Sequence, residues 1–315
     1  MQRESSSGNW HLRMQFHCLM LTLCMFFVTG CRCPWSCTNS QLSESHRCLQ
    51  NGIVAFHDGD HSKAESLLAQ AIESRPGDPI LREHLASNYL KQGKTVEAVD
   101  QLMQASQMSG NDNEAILVRI GQIYLENGQW ILAEQFAKQA LSTNRQLADA
   151  WVLQADVEYA KGNLSDALLD FQRALSLNPD NPNVQMKVAE IHRLSGRNLR
   201  AYSTIEQMLS QLPPDQQPEQ ALLLASRILV DMQQPAQAIE KLRIVTSRSN
   251  ACAECYLVMA SAQKVLGRTL DAQATLVAAA EKFPKNSTIS NELQNLDRSD
   301  ERIASLDLNQ GKLIR

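Results

Sequence analysis

The fold of this chain is decided by residues 148–181, ADAWVLQADVEYAKGNLSDALLDFQRALSLNPDN. Apolar residues recur four and seven positions apart on both sides of Gly162, which is the spacing of helices with one buried face. Glycine readily adopts a positive φ and so ends the first helix. Pro179 cannot continue a helix and stops the second one. The stretch therefore predicts a helix, a tight turn and another helix.

The same arrangement recurs along the chain with a period of about 34 residues. The turn positions are Gly59, Gly93, Gly128, Gly162, Gly196, Gln233 and Gly267. Alanines follow each of them after five residues, at Ala64, Ala98, Ala133, Ala167, Ala201, Ala238 and Ala272. Small residues precede each of them by seven, at Gly52, Ala86, Gly121, Ala155, Ala189, Ser226 and Ala260. Such a period indicates stacked repeats, because small residues at fixed places on two successive helices let their axes approach closely.

These features resemble the tetratricopeptide repeat family. The match is fullest in the fourth unit, through Trp151, Ala155, Gly162, Ala167, Phe171, Ala174 and Pro179. We assign seven repeats, numbered 1 to 7, to residues 45–78, 79–112, 114–147, 148–181, 182–215, 219–252 and 253–286. The resemblance implies an all-α fold, a right-handed α-solenoid superhelix of helix-turn-helix repeats with a concave groove. Residues 287–315 are predicted to form a capping helix and a tail, because Ile289, Leu293 and Leu296 share one helical face.

Composition and motifs argue against several functions. The chain has 43% hydrophobic and 20% charged residues and a net charge of −4, which gives no electrostatic case for binding nucleic acid. Gly93-Lys94-Thr95 lacks the earlier glycine and the preceding strand of a phosphate-binding loop. The repeats leave no room for a catalytic domain. We therefore expect no enzyme, no cofactor and no small-molecule substrate.

The N-terminal segment has the pattern of an export signal. Arg3 and Arg13 precede an apolar run over residues 18–28, which at eleven residues is too short for a bilayer core that needs about 20. Residues 28–31, Val-Thr-Gly-Cys, resemble the bacterial lipobox, which implies that Cys31 is acylated and becomes the new N-terminus. Ordinary signal cleavage nearby and an uncleaved anchor are the alternatives.

This interpretation assigns residues 1–30 to a lipoprotein signal peptide and residues 31–44 to a lipidated tether. The protein is then held at a membrane of the cell envelope by its lipid. Arg32 follows the cysteine where, by family resemblance, an Asp would favour inner-membrane retention, so the outer membrane is favoured in a cell with two membranes.

By the same resemblance, the groove is lined by the first helix of each repeat. Positions ten, six and three before each turn share one face of that helix, called here the first-helix face. It is apolar at its start, acidic in the middle and basic later. Packing between adjacent helices explains most apolar members, and a peptide-binding groove is the functional alternative. Its predicted partner-binding residues are Leu49, Ile53, Phe56, Glu83, Gln122, Asp156, Tyr159, Glu190, Arg193, Arg227 and Lys264.

Two clusters contain residue types used in metal or redox chemistry. His57-Asp58-Gly59-Asp60-His61 falls on an inter-helix turn, where Asp and Gly are expected without a metal. Cys252 and Cys255 form a CxxC pair, for which a structural disulfide, two inert thiols and a redox or metal function are the alternatives. No second CxxC completes a zinc site, and we predict no metal.

The sequence thus predicts a non-catalytic, membrane-anchored scaffold of the bacterial cell envelope that binds other proteins or peptides in its groove and assists assembly of an envelope machine. The alternative is a thiol-redox or metal-handling envelope protein that uses Cys252, Cys255 and the tether cysteines.

Overall fold

The computed structural model describes residues 34–110, 113–248 and 251–296. The signal peptide, Cys31 and the predicted tail after residue 296 lie outside these residues. The chain divides into two compact units, Met1–Ile116 and Leu117–Arg315, called here the N-terminal unit and the C-terminal unit. All regular secondary structure in the described ranges is helical, as the repeat pattern predicts.

The helices follow one another in pairs, separated by short turns. The N-terminal unit holds α1 (Pro34–His57), α2 (His61–Ser74), α3 (Pro79–Lys91) and α4 (Thr95–Met108). Next come α5 (Glu114–Glu126), α6 (Trp130–Thr143), α7 (Ala148–Ala160), α8 (Leu164–Leu177) and α9 (Pro182–Leu194). The series continues with α10 (Asn198–Ser210), α11 (Glu219–Asp231), α12 (Pro235–Thr246), α13 (Ala253–Val265) and α14 (Thr269–Lys282). Residues 287–296 form a further helix, α15.

The first helices of repeats 2 to 7 begin at residues 79, 114, 148, 182, 219 and 253, where we placed the starts of those repeats. Repeat 1 differs, because α1 begins at Pro34. Residues 34–44, which we assigned to a tether, extend the first helix of repeat 1 instead. Proline is favoured at the first position of a helix, and no glycine or proline lies between Pro34 and Gly52 to interrupt it.

The turns inside the repeats have one backbone conformation. The six turn glycines have φ between 71° and 82°, which is the positive φ expected for glycine at these turns. Gln233 adopts the same conformation with φ 59°, and its turn makes the same hydrogen bonds: Gln233 N donates to Val230 O and Gln234 N to Leu229 O. A side chain in this left-handed region costs about 1–2 kcal/mol. The repeat therefore imposes its turn even where the sequence does not favour it.

The core is built from the small residues that define the repeat. All seven alanines that follow the turns are completely buried, and so are most residues of the column before the turns. Gly121 shows how close the helices come: a Cβ there would lie 2.4 Å from Leu153 Cδ2. Larger side chains, such as Phe171 and Ile205, fill the space between the alanine contacts.

The last helix packs against repeat 7. Ile289 and Leu296 of α15 are buried in a cluster with Leu276 and Ala279 of α14, and Leu293 is partly buried against it. None of the helices in the described part of the chain combines the length and the apolar character that crossing a membrane requires.

Candidate protein-interaction surface

In the N-terminal unit, the first-helix face surrounds a small cavity. Leu49, Ile53 and Phe56 are half-buried on α1, and Glu83 is half-buried on α3. The cavity, called here the N-terminal cavity, has a volume of about 200 Å³. It lies among α1, α2 and α3 and is lined by Gly52, Ile53, Phe56, His57, Leu68, His84 and Ser87. Its lining thus combines aliphatic and aromatic side chains with two imidazole rings, His57 from α1 and His84 from α3.

The turn after α1 supports this cavity. Phe56 packs edge-on against His57 and His61, with ring centroids 5.5 and 5.9 Å apart. His61 Nδ1 lies 3.0 Å from Oδ1 of the buried Asn88, whose Nδ2 donates to the His61 carbonyl. Asp60 accepts a hydrogen bond from Lys63 N at the start of α2. These hydrogen bonds give His61 and Asp60, two residues of the histidine- and aspartate-rich turn, a structural role.

In the C-terminal unit, the charged members of the first-helix face are paired within the chain. The pairs, called here the ion-pair ladder, are Asp156–Lys187, Glu190–Arg193, Arg193–Asp231, Arg227–Glu254 and Lys264–Glu292. Four of the five join one first helix to the next along α7, α9, α11, α13 and α15. The predicted binding charges of this unit are therefore engaged within the chain, all but Glu190 with a neighbouring first helix.

Arg193 is the centre of the ladder. It makes two 2.8 Å bonds to the Glu190 carboxylate and a third, of 3.0 Å, to Asp231. Hydrogen bonds from Arg193 lower the pKa of Glu190, and the same contact raises the pKa of the guanidinium.

Asp156 behaves in the opposite way. Burial raises its pKa, and this outweighs the 2.5 Å ion pair with Lys187, which acts to lower it. The two acidic residues that mark the middle of the face thus have pKa values displaced in opposite directions by their surroundings.

The remaining predicted positions carry no charge. Gln122 on α5 is exposed, and Tyr159 on α7 is 40% exposed. The charged residues that sequence reasoning missed are Lys187, Asp231, Glu254 and Glu292, which lie off the three positions of the face. The sequence signal that could have found them is a charge of opposite sign 27 to 38 residues after a charged member of the face, which is close to one repeat length.

The CxxC pair lies at the start of α13. Cys252 and Cys255 are free, with their Sγ atoms 2.9 Å apart, and Glu219 of α11 lies beside them. Among the residues that the structure describes, these three form the single group whose donor atoms could hold a metal ion together. Cys48 is buried in the N-terminal unit, and Cys33 lies outside the described residues.

The geometry defines the class of protein: an all-α helical-repeat solenoid. Two family profiles match it, one described as Tetratricopeptide repeat over residues 55–108 and one as TPR repeat over residues 155–196. These matches identify tetratricopeptide repeats in both units of the chain.

Solved structures share this fold. A tetratricopeptide repeat protein from Parabacteroides merdae ATCC 43184 aligns with a TM-score of 0.61 at 18% identity, over 81% of this chain and 99% of the other. PilW, described as a widely conserved type IV pilus biogenesis factor, aligns with a TM-score of 0.58 at 17% identity, over 68% of this chain and 98% of the other.

One sequence relative is the DnaJ homolog subfamily C member 7 homolog of Schizosaccharomyces pombe, 24% identical over an alignment of 254 residues, and the match covers 75% of this chain. The chain spans about half the length of that curated relative, 52%.

Proposed function

We propose that this protein is a non-catalytic scaffold that binds a partner peptide through the N-terminal cavity. The observation that carries the proposal is the contrast within the first-helix face. Charged positions in the C-terminal unit are already paired, whereas Ile53 and Phe56 line an apolar cavity whose volume of about 200 Å³ suits one large side chain. Repeats of this kind act through such surfaces, and apolar anchors in pockets dominate binding energy.

The partner follows from the cavity walls. Ile53, Phe56 and Leu68 favour an aliphatic or aromatic side chain, and the exposed His57 offers a hydrogen bond to the backbone or a polar tip of the same peptide. The ligand class is therefore a peptide or protein segment with one apolar anchor.

We further propose that acylated Cys31 anchors the scaffold in the cell envelope. Support comes from the apolar run over residues 18–28 and the Val-Thr-Gly-Cys sequence that follows it. In that compartment the scaffold assists assembly of an envelope machine. The shared fold with PilW makes a type IV pilus the first machine to examine.

The binding proposal is tested with Ile53→Asp and its neighbour Val54→Asp. Both place a carboxylate on α1, but Ile53 lines the cavity, whereas Val54 is 58% exposed and does not. Crosslinking in the native host followed by mass spectrometry should recover a partner with wild type and Val54→Asp and lose it with Ile53→Asp. Circular dichroism melting checks that both variants fold. Equal recovery with both variants would reject the cavity as the binding site.

The anchoring proposal is tested by radiolabelled palmitate in the native host. Label should enter the wild type and be absent from Cys31→Ser. Label in neither protein would reject acylation at this cysteine and leave the cavity proposal unaffected.

A further inference from the structure

The start of α13 brings two thiols and a carboxylate together. Cys252 precedes the first turn of α13 as its N-cap, and Cys255 is the third residue of the helix. Side chains at these two positions meet in many helices, because the extended N-cap residue folds back over the first turn. Here both are cysteines, and their Sγ atoms are 2.9 Å apart.

Glu219 holds this arrangement from the preceding repeat. Its Oε1 accepts a 2.6 Å hydrogen bond from Cys252 N and a 3.5 Å hydrogen bond from Cys255 Sγ. Arg248 lies on the other side of the carboxylate, bound to the carbonyls of Gln217 and Pro214. Although burial alone would raise the pKa of Glu219, these donors and Arg248 lower it, so the group is a carboxylate at neutral pH.

The two thiols are not equivalent. Cys252 is partly exposed, whereas Cys255 is completely buried. Burial raises the pKa of the Cys255 thiol, and the neighbouring Cys252 and Glu219 raise it further. Cys255 therefore keeps its proton while Cys252 faces solvent, which assigns the two cysteines different steps in any exchange reaction.

The distance between the sulfurs and the number of donors at the site bear on whether it forms a disulfide or holds a metal. Two thiolates on a tetrahedral zinc ion, with Zn–S bonds of about 2.3 Å, would lie nearly 4 Å apart. The free thiols are 2.9 Å apart and need move together by less than one ångström to bond. Cys252, Cys255 and Glu219 supply three donors, one fewer than a structural zinc site uses, so the donor set favours the disulfide.

We propose that Cys252 and Cys255 form a reversible thiol–disulfide exchange site whose substrate is a disulfide, either of a small thiol or of a protein. The Cys252 thiolate attacks one sulfur of the substrate, forms a mixed disulfide and releases the other half as a thiolate. The Cys255 thiol then gives its proton to the thiolate released in the first step, attacks Cys252 Sγ, forms the Cys252–Cys255 bond and releases the second half as a thiolate. Two electrons pass to the substrate, and the protons of both thiols go to solvent or to the released thiolates.

Glu219 is a positioning residue in this scheme. It fixes the backbone of Cys252 and the orientation of the Cys255 thiol, and its charge opposes formation of a second negative charge nearby. Glu219→Gln keeps an acceptor for Cys252 N and removes the charge, so it should speed the reaction with glutathione disulfide without changing the circular dichroism spectrum. A merely structural role would leave this rate unchanged.

The site is tested on the full chain with glutathione and glutathione disulfide as the probe. Trypsin cuts after Arg248 and Lys264, so both cysteines fall on one peptide, SNACAECYLVMASAQK, which holds no other cysteine. After oxidation, this peptide should be lighter by two hydrogens and unreactive to an alkylating agent, and glutathione should restore both thiols.

The single variants separate the two steps. Cys255→Ser should accumulate glutathione on Cys252, because the resolving thiol is missing, whereas Cys252→Ser should gain almost none on the buried Cys255. Each change replaces one sulfur by oxygen, and the melting temperature checks folding. A wild-type peptide that stays fully alkylated in glutathione disulfide would overturn the proposal. So would equal trapping by both variants, or zinc retained stoichiometrically by the wild type and lost from both variants.

Discussion

The first-helix face serves different purposes in the two units of this protein. In the N-terminal unit it lines a cavity with Ile53 and Phe56, and in the C-terminal unit it carries the ion-pair ladder centred on Arg193. Equivalent positions in the repeat thus either line a cavity or contact the next repeat. The apolar members line the cavity, and the charged members of the C-terminal unit pair with charges on the same or the next first helix.

The largest expected effect comes from the wall of the N-terminal cavity. Leu68 is 1% exposed and also packs against Gly52, so Leu68→Ala should lower the free energy of unfolding by about 2–5 kcal/mol and enlarge the cavity. Urea unfolding measures the loss, and hydrogen exchange should place it in α1 to α3. A decrease in the free energy of unfolding below about 0.5 kcal/mol, as surface substitutions give, would show that the cavity wall is not part of the core.

The turns offer a reciprocal pair of substitutions between the two units. Gly93→Ala in the N-terminal unit should cost about 1 kcal/mol, because φ is 75° and a Cβ there would meet nothing within 4 Å, which leaves backbone strain as the cause. Gln233→Gly, just after the ladder helix α11 in the C-terminal unit, should raise the free energy of unfolding by a similar amount, because it removes that backbone strain. Thermal unfolding of both variants checks the signs, and two changes of the same sign would contradict the argument.

The ladder should contribute less than either. Arg193→Ala leaves Glu190 and Asp231 without their shared partner, and we expect the free energy of unfolding to fall by less than about 1 kcal/mol. A double-mutant cycle with Asp231→Ala isolates the pair across repeats by urea unfolding. Partner recovery in the crosslinking experiment should stay unchanged. Loss of the partner would show that the ladder, and not the cavity, is the binding surface.

The smallest effect is a pH dependence of opposite sign at the two acids. The pKa of Glu190 is lowered from 4.5 in the fold, so its contribution to stability is present above 4.5 and is lost as the pH falls through the folded value. The pKa of Asp156 is raised from 3.8, so its ionised form costs stability at neutral pH, and the cost fades as the pH falls through the raised value.

Urea unfolding at a series of pH values tests this difference. Relative to wild type, Glu190→Gln should lose less stability on acidification and Asp156→Asn should lose more, each by less than about 1 kcal/mol. Parallel profiles for the two variants would show that the carboxyls share one environment.

Much of the fold could be predicted from the sequence because the repeat is a local pattern. Gly162 and its equivalents set the turns, and the alanines that follow them set the distance between helices. The start of α1 could not be predicted, because residues 34–44 lack the apolar stripe that marks the helices of repeat 4. In the structure, these residues lengthen the first helix of repeat 1 at its N-terminal end. The candidate site was predicted only in outline: the face was found, but neither the cavity beneath Ile53 nor the partners of Asp156 and Arg193.

By itself, the sequence determined the helix-turn-helix repeat, its period and its buried small residues, because those depend on backbone conformation and on close packing between helices adjacent in the chain. Only the tertiary structure decided which members of the first-helix face are available and that Glu219 lies against Cys252 and Cys255. Both depend on side chains from different repeats, and a repeat pattern fixes where helices stack without fixing which long side chains then meet.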